Sequence, residues 1–117
     1  MVDATATVGE LRGRIARFVK ARDWERFHNP KDLAIALSIE ASELLERFLW
    51  REPAPPSRMT AEERAAITDE LADVLIYGLS LGNALGIDVS DAILAKVAKN
   101  EARYPGDRFR GRPPSSP

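Results

Sequence analysis

The chain has 117 residues, 44% of them hydrophobic and 30% charged, a composition typical of one globular domain. Its 17 Lys and Arg against 18 Asp and Glu give a formal net charge of −1, without the positive excess that a general nucleic-acid or membrane-surface binder needs. Because the chain has no cysteine, disulfide frameworks, thiolate zinc sites and thiol catalysis are excluded. No secretory signal or membrane-spanning run is visible, so we expect a cytoplasmic protein with no membrane and no polymeric nucleic acid as partner.

Helical periodicity dominates the sequence between its prolines. Apolar residues recur at three-to-four spacing, and no stretch shows sustained period-two alternation. The predicted helices cover about 8–22, 30–51, 60–85 and 88–103. Asn29 is a good N-cap for the second helix, and Thr60 opens the third with a capping box. We therefore predict an all-α, four-helix bundle in residues 1–105, followed by a disordered tail over residues 106–117.

The third predicted helix is apolar almost all round between Leu71 and Leu81. A helix without a polar face is buried on all sides, and four helices do not easily wrap one of their own. Gly78 and Gly82, one turn apart, would let another helix approach closely. We therefore expect assembly through this helix into a dimer or tetramer. The alternative is a well-covered central helix in a monomer.

Two acidic pairs interrupt the apolar faces of the second and third helices. Glu40 lies within the apolar stripe of the second helix and Glu43 follows at its edge, whereas Glu70 and Asp73 take the same places in the third. The stripes themselves are formed by Leu33, Leu37, Leu44 and Phe48 in the second helix and by Ile67, Val74 and Leu81 in the third. If the two helices pack together, four carboxylates meet inside the domain.

Four buried anions repel one another strongly unless cations compensate them. No Lys or Arg is expected on these stripes close to Glu40 or Glu70. A set of oxygen ligands without histidine or thiolate suits a hard divalent cation, Mg²⁺ or Mn²⁺. The alternative is that the helix phases differ and that the acids point to solvent.

Two further groups of residues are candidates for substrate contacts. Lys96, Asn100 and Tyr104 follow at one-turn spacing on the fourth helix, where they form either a phosphate-binding row or a solvated charged face. Trp24 and Trp50 bracket the second helix and either stack on a nucleobase or plug the ends of a small core. His28, the single histidine, is as well suited to capping as to substrate binding. No phosphate-binding glycine loop or nucleophile elbow is present.

A family resemblance joins these groups. It is carried by three segments: RDWERFHNPKDLAIALSIEASELLERFLW, DELADVLIYGL and KVAKNEARYP. Together they resemble the MazG-like all-α nucleoside triphosphate pyrophosphohydrolases, most closely the dCTP pyrophosphatase branch, over about residues 10–105. The resemblance implies Mg²⁺-dependent cleavage of a (deoxy)nucleoside triphosphate to a monophosphate and pyrophosphate, with dCTP or a modified pyrimidine nucleotide as the expected substrate. It also implies a homo-oligomer, with a tetramer favoured over a dimer.

The resemblance assigns roles to individual residues. Metal-binding and catalytic positions match Glu40, Glu43, Glu70 and Asp73. Phosphate-binding positions match Lys96, Asn100 and Tyr104, and nucleoside-binding positions match Trp24, His28, Trp50 and Tyr77. One departure concerns Ile15, which stands where the animal dCTP pyrophosphatases carry a histidine on the pocket side, so the base preference stays open. The alternative function is a non-catalytic helical module that binds a nucleotide or a partner helix.

Overall fold

The computed structural model describes residues 1–114, and this range contains helices and no strand. The predicted all-helical fold is confirmed. The helices are α1 (Val8–Ala21), α2 (Pro30–Glu46), α3 (Ala61–Leu85), α4 (Val89–Arg103) and the short α5 (Gly106–Phe109), with 3₁₀ turns at Glu25–Phe27 and Pro56–Arg58. The chain separates into two compact units, one ending at Gly86 and the other beginning at Ile87, and each is described by itself.

Side-chain caps fix the starts of the long helices where the sequence predicts them. The Asn29 side chain accepts a hydrogen bond from the backbone N–H of Asp32 at 2.9 Å, with Pro30 in the first turn. Thr60 and Glu63 form a complete capping box at the start of α3. Gly86 ends α3 in the left-handed conformation with φ 64°, which glycine adopts without steric cost.

The second helix is shorter than predicted, since α2 ends at Glu46 rather than at residue 51. Beyond it the backbone tightens into turns in which the N–H of Arg47 donates to the carbonyl of Leu44 at 3.2 Å and that of Phe48 to Leu45 at 2.9 Å. Trp50 then takes a positive φ of 64°, which no helix residue can have. From Trp50 onward the side chains therefore leave the direction that a continued helix would give them.

Within the first unit, α2 packs along α3, and α1 packs against α3 as well. Leu33 of α2 is the most deeply buried apolar side chain at 2% exposure, and Val19 of α1 is buried too. Elsewhere on α3, Leu71 and Leu75 stay 46% and 57% exposed. The apolar third helix is thus only partly covered, which is not the fully wrapped central helix of the monomeric alternative.

The second unit contains α4 and α5. Tyr104 caps the C-terminus of α4 and packs edge-to-face on Phe109, with ring centroids 5.1 Å apart. The N–H groups of Arg108 and Phe109 both donate to the carbonyl of Pro105 at 3.0 Å. These contacts form a short helix within the segment for which the sequence predicts disorder, and residues 115–117 of that segment lie outside the described residues.

Within residues 1–114, no single helix is long and apolar enough to cross a membrane, and only α3 and α4 counted together as a broken pair have the length and composition for it.

Candidate metal and nucleotide site

Three carboxylates meet where α2 packs on α3. Glu40 and Glu43 lie three residues apart on α2, and Glu70 lies opposite them on α3. One oxygen of each lies within 4.8 Å of the others, and all three side chains are half-buried. Three of the four acids that the sequence selects are thus brought together, and we call these three the acid cluster. Their oxygens can converge on a single divalent cation.

Asp73, the fourth predicted acid, lies one turn beyond Glu70 on the same face of α3 and is half-buried. It is not among the residues of the 4.8 Å group within the described part of the chain. Its charge still acts on the cluster, since it contributes to the raised pKa of Glu40. Asp73 also lines the aromatic cavity described below, so it connects that cavity with the cluster.

The surroundings of Glu40 in the acid cluster disfavour its charged form. Burial first, and then the proximity of Glu43, Asp73 and Glu70, raises its pKa from the ordinary 4.5 to about 7. Its Oε2 is buried and has no hydrogen-bond partner within the described residues. A buried carboxylate oxygen without a donor is unfavourable unless a ligand contacts it. The donor set and this orphaned oxygen fit a hard cation such as Mg²⁺.

One cation does reach the acid cluster, contrary to the expectation from the sequence. Nη2 of Arg47 donates to Oε1 of Glu70 at 3.1 Å, and the Glu70 side chain is only 14% exposed. That expectation considered only residues within the apolar stripes. Arg47 lies beside the stripe of α2, two turns after Glu40, and its long side chain crosses from the C-cap of α2 to Glu70 on α3.

An apolar cavity of about 380 Å³ lies between α1 and α3 in the first unit. Its lining contains Trp24, His28 and Tyr77, three of the four predicted nucleoside-binding residues. The Trp24 ring packs edge-to-face on Phe18 with centroids 5.7 Å apart, which fixes its orientation. The cavity combines aromatic faces with a few polar groups, as small-molecule sites do.

Trp50, the fourth predicted nucleoside-binding residue, is not part of this cavity. Its side chain is 99% exposed in the turn that follows α2. Sequence reasoning also missed two polar lining residues, Arg14 and Ser80. Ser80 is 4% exposed and its hydroxyl has no partner within the described residues. Its spacing of three residues from Tyr77 on α3 is the signal that could have found it.

Lys96, Asn100 and Tyr104, the predicted phosphate-binding residues, belong to the second unit. Lys96 and Asn100 lie one turn apart on α4 and are exposed, and Tyr104 follows at its C-cap. The backbone N–H of Tyr104 donates to the carbonyl of Asn100 at 2.7 Å. The structure thus places Lys96 and Asn100 one turn apart on α4, whereas Tyr104 follows the helix with a non-helical backbone, and the role of the row stays a prediction.

Comparison with known proteins places this helical unit and its acid cluster in a class. The MazG-like family model matches residues 35–112, and the chain therefore belongs to the MazG-like family. This range contains all four predicted acids and the whole of α3 and α4.

The chain is similar to several individual proteins. The chain is 42% identical over 107 residues to dCTP pyrophosphatase 1 of Homo sapiens, covering 89% of this chain and 62% of that protein. It is 37% identical over 98 residues to the dATP/dGTP diphosphohydrolase of Cyanophage S-2L, covering 84% and 77%. A crystal structure of a pyrophosphatase from Archaeoglobus fulgidus superposes with a TM-score of 0.75 at 34% identity, covering 90% and 98%. The chain spans about 63% of the length of the mammalian dCTP pyrophosphatases that it matches.

Proposed function

We propose that this protein is a Mg²⁺-dependent nucleoside triphosphate pyrophosphohydrolase that cleaves the α–β phosphoanhydride to give a nucleoside monophosphate and pyrophosphate. The observation that carries the proposal is the half-buried acid cluster, with an orphaned oxygen on Glu40, next to an aromatic cavity lined by Asp73, which lies one turn from Glu70. The names of its relatives support the same reaction class, since they include a dCTP pyrophosphatase and a dATP/dGTP diphosphohydrolase.

The four acids are proposed to bind the metal and to orient the attacking water. Glu40, Glu43 and Glu70 supply converging oxygens, and Asp73 adds a fourth carboxylate on the side of the aromatic cavity. When bound there, Mg²⁺ would neutralise the charge of the phosphates and orient the attacking water. One of the four carboxylates would accept a hydrogen bond from that water and direct it in line with the leaving pyrophosphate.

The cavity is the proposed nucleoside pocket. Trp24 and Tyr77 offer aromatic faces on which any base can stack, and His28 offers a ring nitrogen for a hydrogen bond. We propose dCTP or a modified pyrimidine deoxynucleotide as the substrate, by analogy with the mammalian relatives. Ile15 lines this cavity, so the departure from the animal histidine falls where it bears on base selection. Trp50 is proposed to join the pocket only after assembly.

Lys96, Asn100 and Tyr104 of the second unit are proposed to bind phosphate oxygens of the nucleotide. Lys96 supplies a cation, Asn100 an amide and Tyr104 a phenol, and all three groups can donate hydrogen bonds to phosphate oxygens. Their one-turn spacing on α4 keeps Lys96 and Asn100 on a single face.

Assembly is the second part of the proposal. The exposed side chains of Leu71 and Leu75 lie one turn apart on α3, and exposed apolar surface of this kind usually marks an interface. A homo-oligomer with closed symmetry is the commonest way to cover it. We propose a homotetramer, with a dimer as the simpler assembly through the same surface.

The test is a screen of canonical and modified nucleotides with Mg²⁺, in which pyrophosphate and orthophosphate are measured separately. The expected products are a monophosphate and pyrophosphate, and activity is expected to vanish with EDTA. Release of orthophosphate with a diphosphate product would contradict the assignment. Nucleotide binding without turnover for every substrate would favour the non-catalytic module instead.

A further inference from the structure

The contact between Arg47 and Glu70 has no role in the proposed reaction. Of the ion pairs within residues 1–114, this is the one that reaches the acid cluster. The contact is a single N–H···O hydrogen bond of 3.1 Å rather than a two-pronged one. Single contacts of this kind are weaker than bidentate arginine–carboxylate pairs. The bond is therefore one that another cation can replace.

Burial differs sharply between the two partners. The Arg47 side chain is 48% exposed, whereas that of Glu70 is 14% exposed. The guanidinium thus approaches the cluster from the solvent side and keeps half of its surface in water. It can withdraw at little desolvation cost, whereas Glu70 stays in place among its acidic neighbours.

A divalent cation competes with Arg47 for the same negative charge. It carries twice the charge of the guanidinium and can contact Glu40, Glu43 and Glu70 at once, because their oxygens lie within 4.8 Å of one another. Two cations beside one carboxylate repel each other. The contact between Arg47 and Glu70 stabilises the metal-free state and weakens when the metal binds. The free energy of the weakened contact is therefore lost from the binding free energy of the metal, which lowers the metal affinity.

We infer that Arg47 is a built-in counter-cation, which stabilises the acid cluster when no metal is bound and competes with the divalent metal for Glu70. Arg47 is thus a positioning residue that acts through Glu70 and sets the metal concentration at which the site fills. The inference rests on the metal-binding part of the proposed function.

The chain offers a matched control in a second arginine of the same connection. Nη1 of Arg51 pairs with Oε1 of Glu63 at 3.0 Å, with side-chain exposures of 53% and 32%. This pair also joins the end of α2 to α3, but Glu63 is not in the acid cluster. Arg51→Met therefore removes one positive charge and one comparable ion pair without touching the cluster.

The experiment measures binding of Mn²⁺ alone and metal-free thermal stability for wild type, Arg47→Met, Arg47→Gln, Arg47→Lys and Arg51→Met. Loss of the positive charge at position 47, in Arg47→Met and Arg47→Gln, is expected to lower the Kd for Mn²⁺ by about fivefold, in line with an ion pair of about 1 kcal/mol. Without metal, Arg47→Met and Arg47→Gln are expected to have a lower melting temperature than wild type. At saturating Mn²⁺ their melting temperature should equal that of wild type. Arg47→Lys and Arg51→Met should keep the wild-type Kd.

The outcomes separate this inference from the proposed function. Unchanged or weaker Mn²⁺ binding in both Arg47→Met and Arg47→Gln would overturn the inference. Weaker binding would show that Arg47 instead holds Glu70 in place for the metal. Wild-type protein that binds no Mn²⁺ would overturn the metal site itself, and the counter-cation with it. An equal gain in affinity in Arg51→Met would show that only the net charge matters, which also overturns the specific role of Arg47.

Discussion

Arg12 of α1 and Asn83 of α3 are joined by two hydrogen bonds, one donated by each residue. Nε of Arg12 donates to Oδ1 of Asn83 at 2.8 Å, and Nδ2 of Asn83 donates to the backbone carbonyl of Arg12 at 3.3 Å. This pair joins residues 71 positions apart and is partly buried. It fixes α1 on the last turns of α3, and α1 supplies Ile15 and Phe18 to the aromatic cavity.

Replacing Asn83 by Leu is therefore expected to lower the free energy of unfolding by about 1–3 kcal/mol, because it leaves partly buried groups of Arg12 unpaired. The KM for the nucleotide should rise more than kcat falls, since the pocket loses its shape while the acid cluster is untouched. Denaturant melts and steady-state kinetics provide the two readouts. Asn83→Asp keeps the acceptor for Arg12, so its free energy of unfolding and its KM should lie between those of wild type and Asn83→Leu. A Leu variant with wild-type stability would contradict this account.

Glu40→Gln is expected to abolish turnover while the fold survives, because it removes a charged ligand from the centre of the acid cluster. In metal-free buffer above pH 7 the variant should melt higher than wild type, since it removes repulsion among half-buried anions. The control is Glu46→Gln, which neutralises an exposed acid on the same helix outside the cluster. Near-wild-type activity in Glu40→Gln would show that the acid cluster is not the catalytic site.

The stability of the metal-free protein should depend on pH in a direction set by Glu40. Its pKa in the folded state is about 7, above the ordinary 4.5, so the folded state binds more protons than the unfolded state between these values. The contribution of Glu40 to stability is thus fully present below about pH 4.5 and is lost as the pH rises to about 7. Melting curves in EDTA across this range measure the effect. In Glu40→Gln the stability should fall less steeply with pH than in wild type. An unchanged slope in this variant would show that other groups cause the pH dependence.

Sequence patterns alone predicted the all-helical fold and the acid cluster, for physical reasons that specific residues show. The caps at Asn29 and Thr60 depend only on local hydrogen bonds, and the inward phase of Glu40 and Glu70 depends only on helical periodicity. Both are short-range properties of the chain, so the sequence is sufficient for them. The end of α2 was misplaced because nothing local in the sequence excludes helix at Arg47.

Features that depend on contacts between distant residues were not predictable in this way. The contact between Arg47 and Glu70 spans 23 positions and requires the packing of α2 on α3. The burial of Ser80 depends likewise on how α1 covers α3. Trp50 was assigned to the pocket from its residue type and the family resemblance, whereas its backbone conformation in the turn leaves it exposed.

The last prediction concerns the exposed apolar surface of α3. Leu75 is 57% exposed with Leu71 one turn before it, so a charge at this position would face any partner that covers the surface. Leu75→Glu is therefore expected to reduce assembly and activity together, if the pocket is completed by a second copy. Light scattering gives the mass and pyrophosphate release gives the activity. Ala65→Glu, which adds the same charge at an exposed position of α3 outside the apolar stretch, should change neither. Fully active wild-type protein with a monomer mass at micromolar concentration would contradict the proposed assembly.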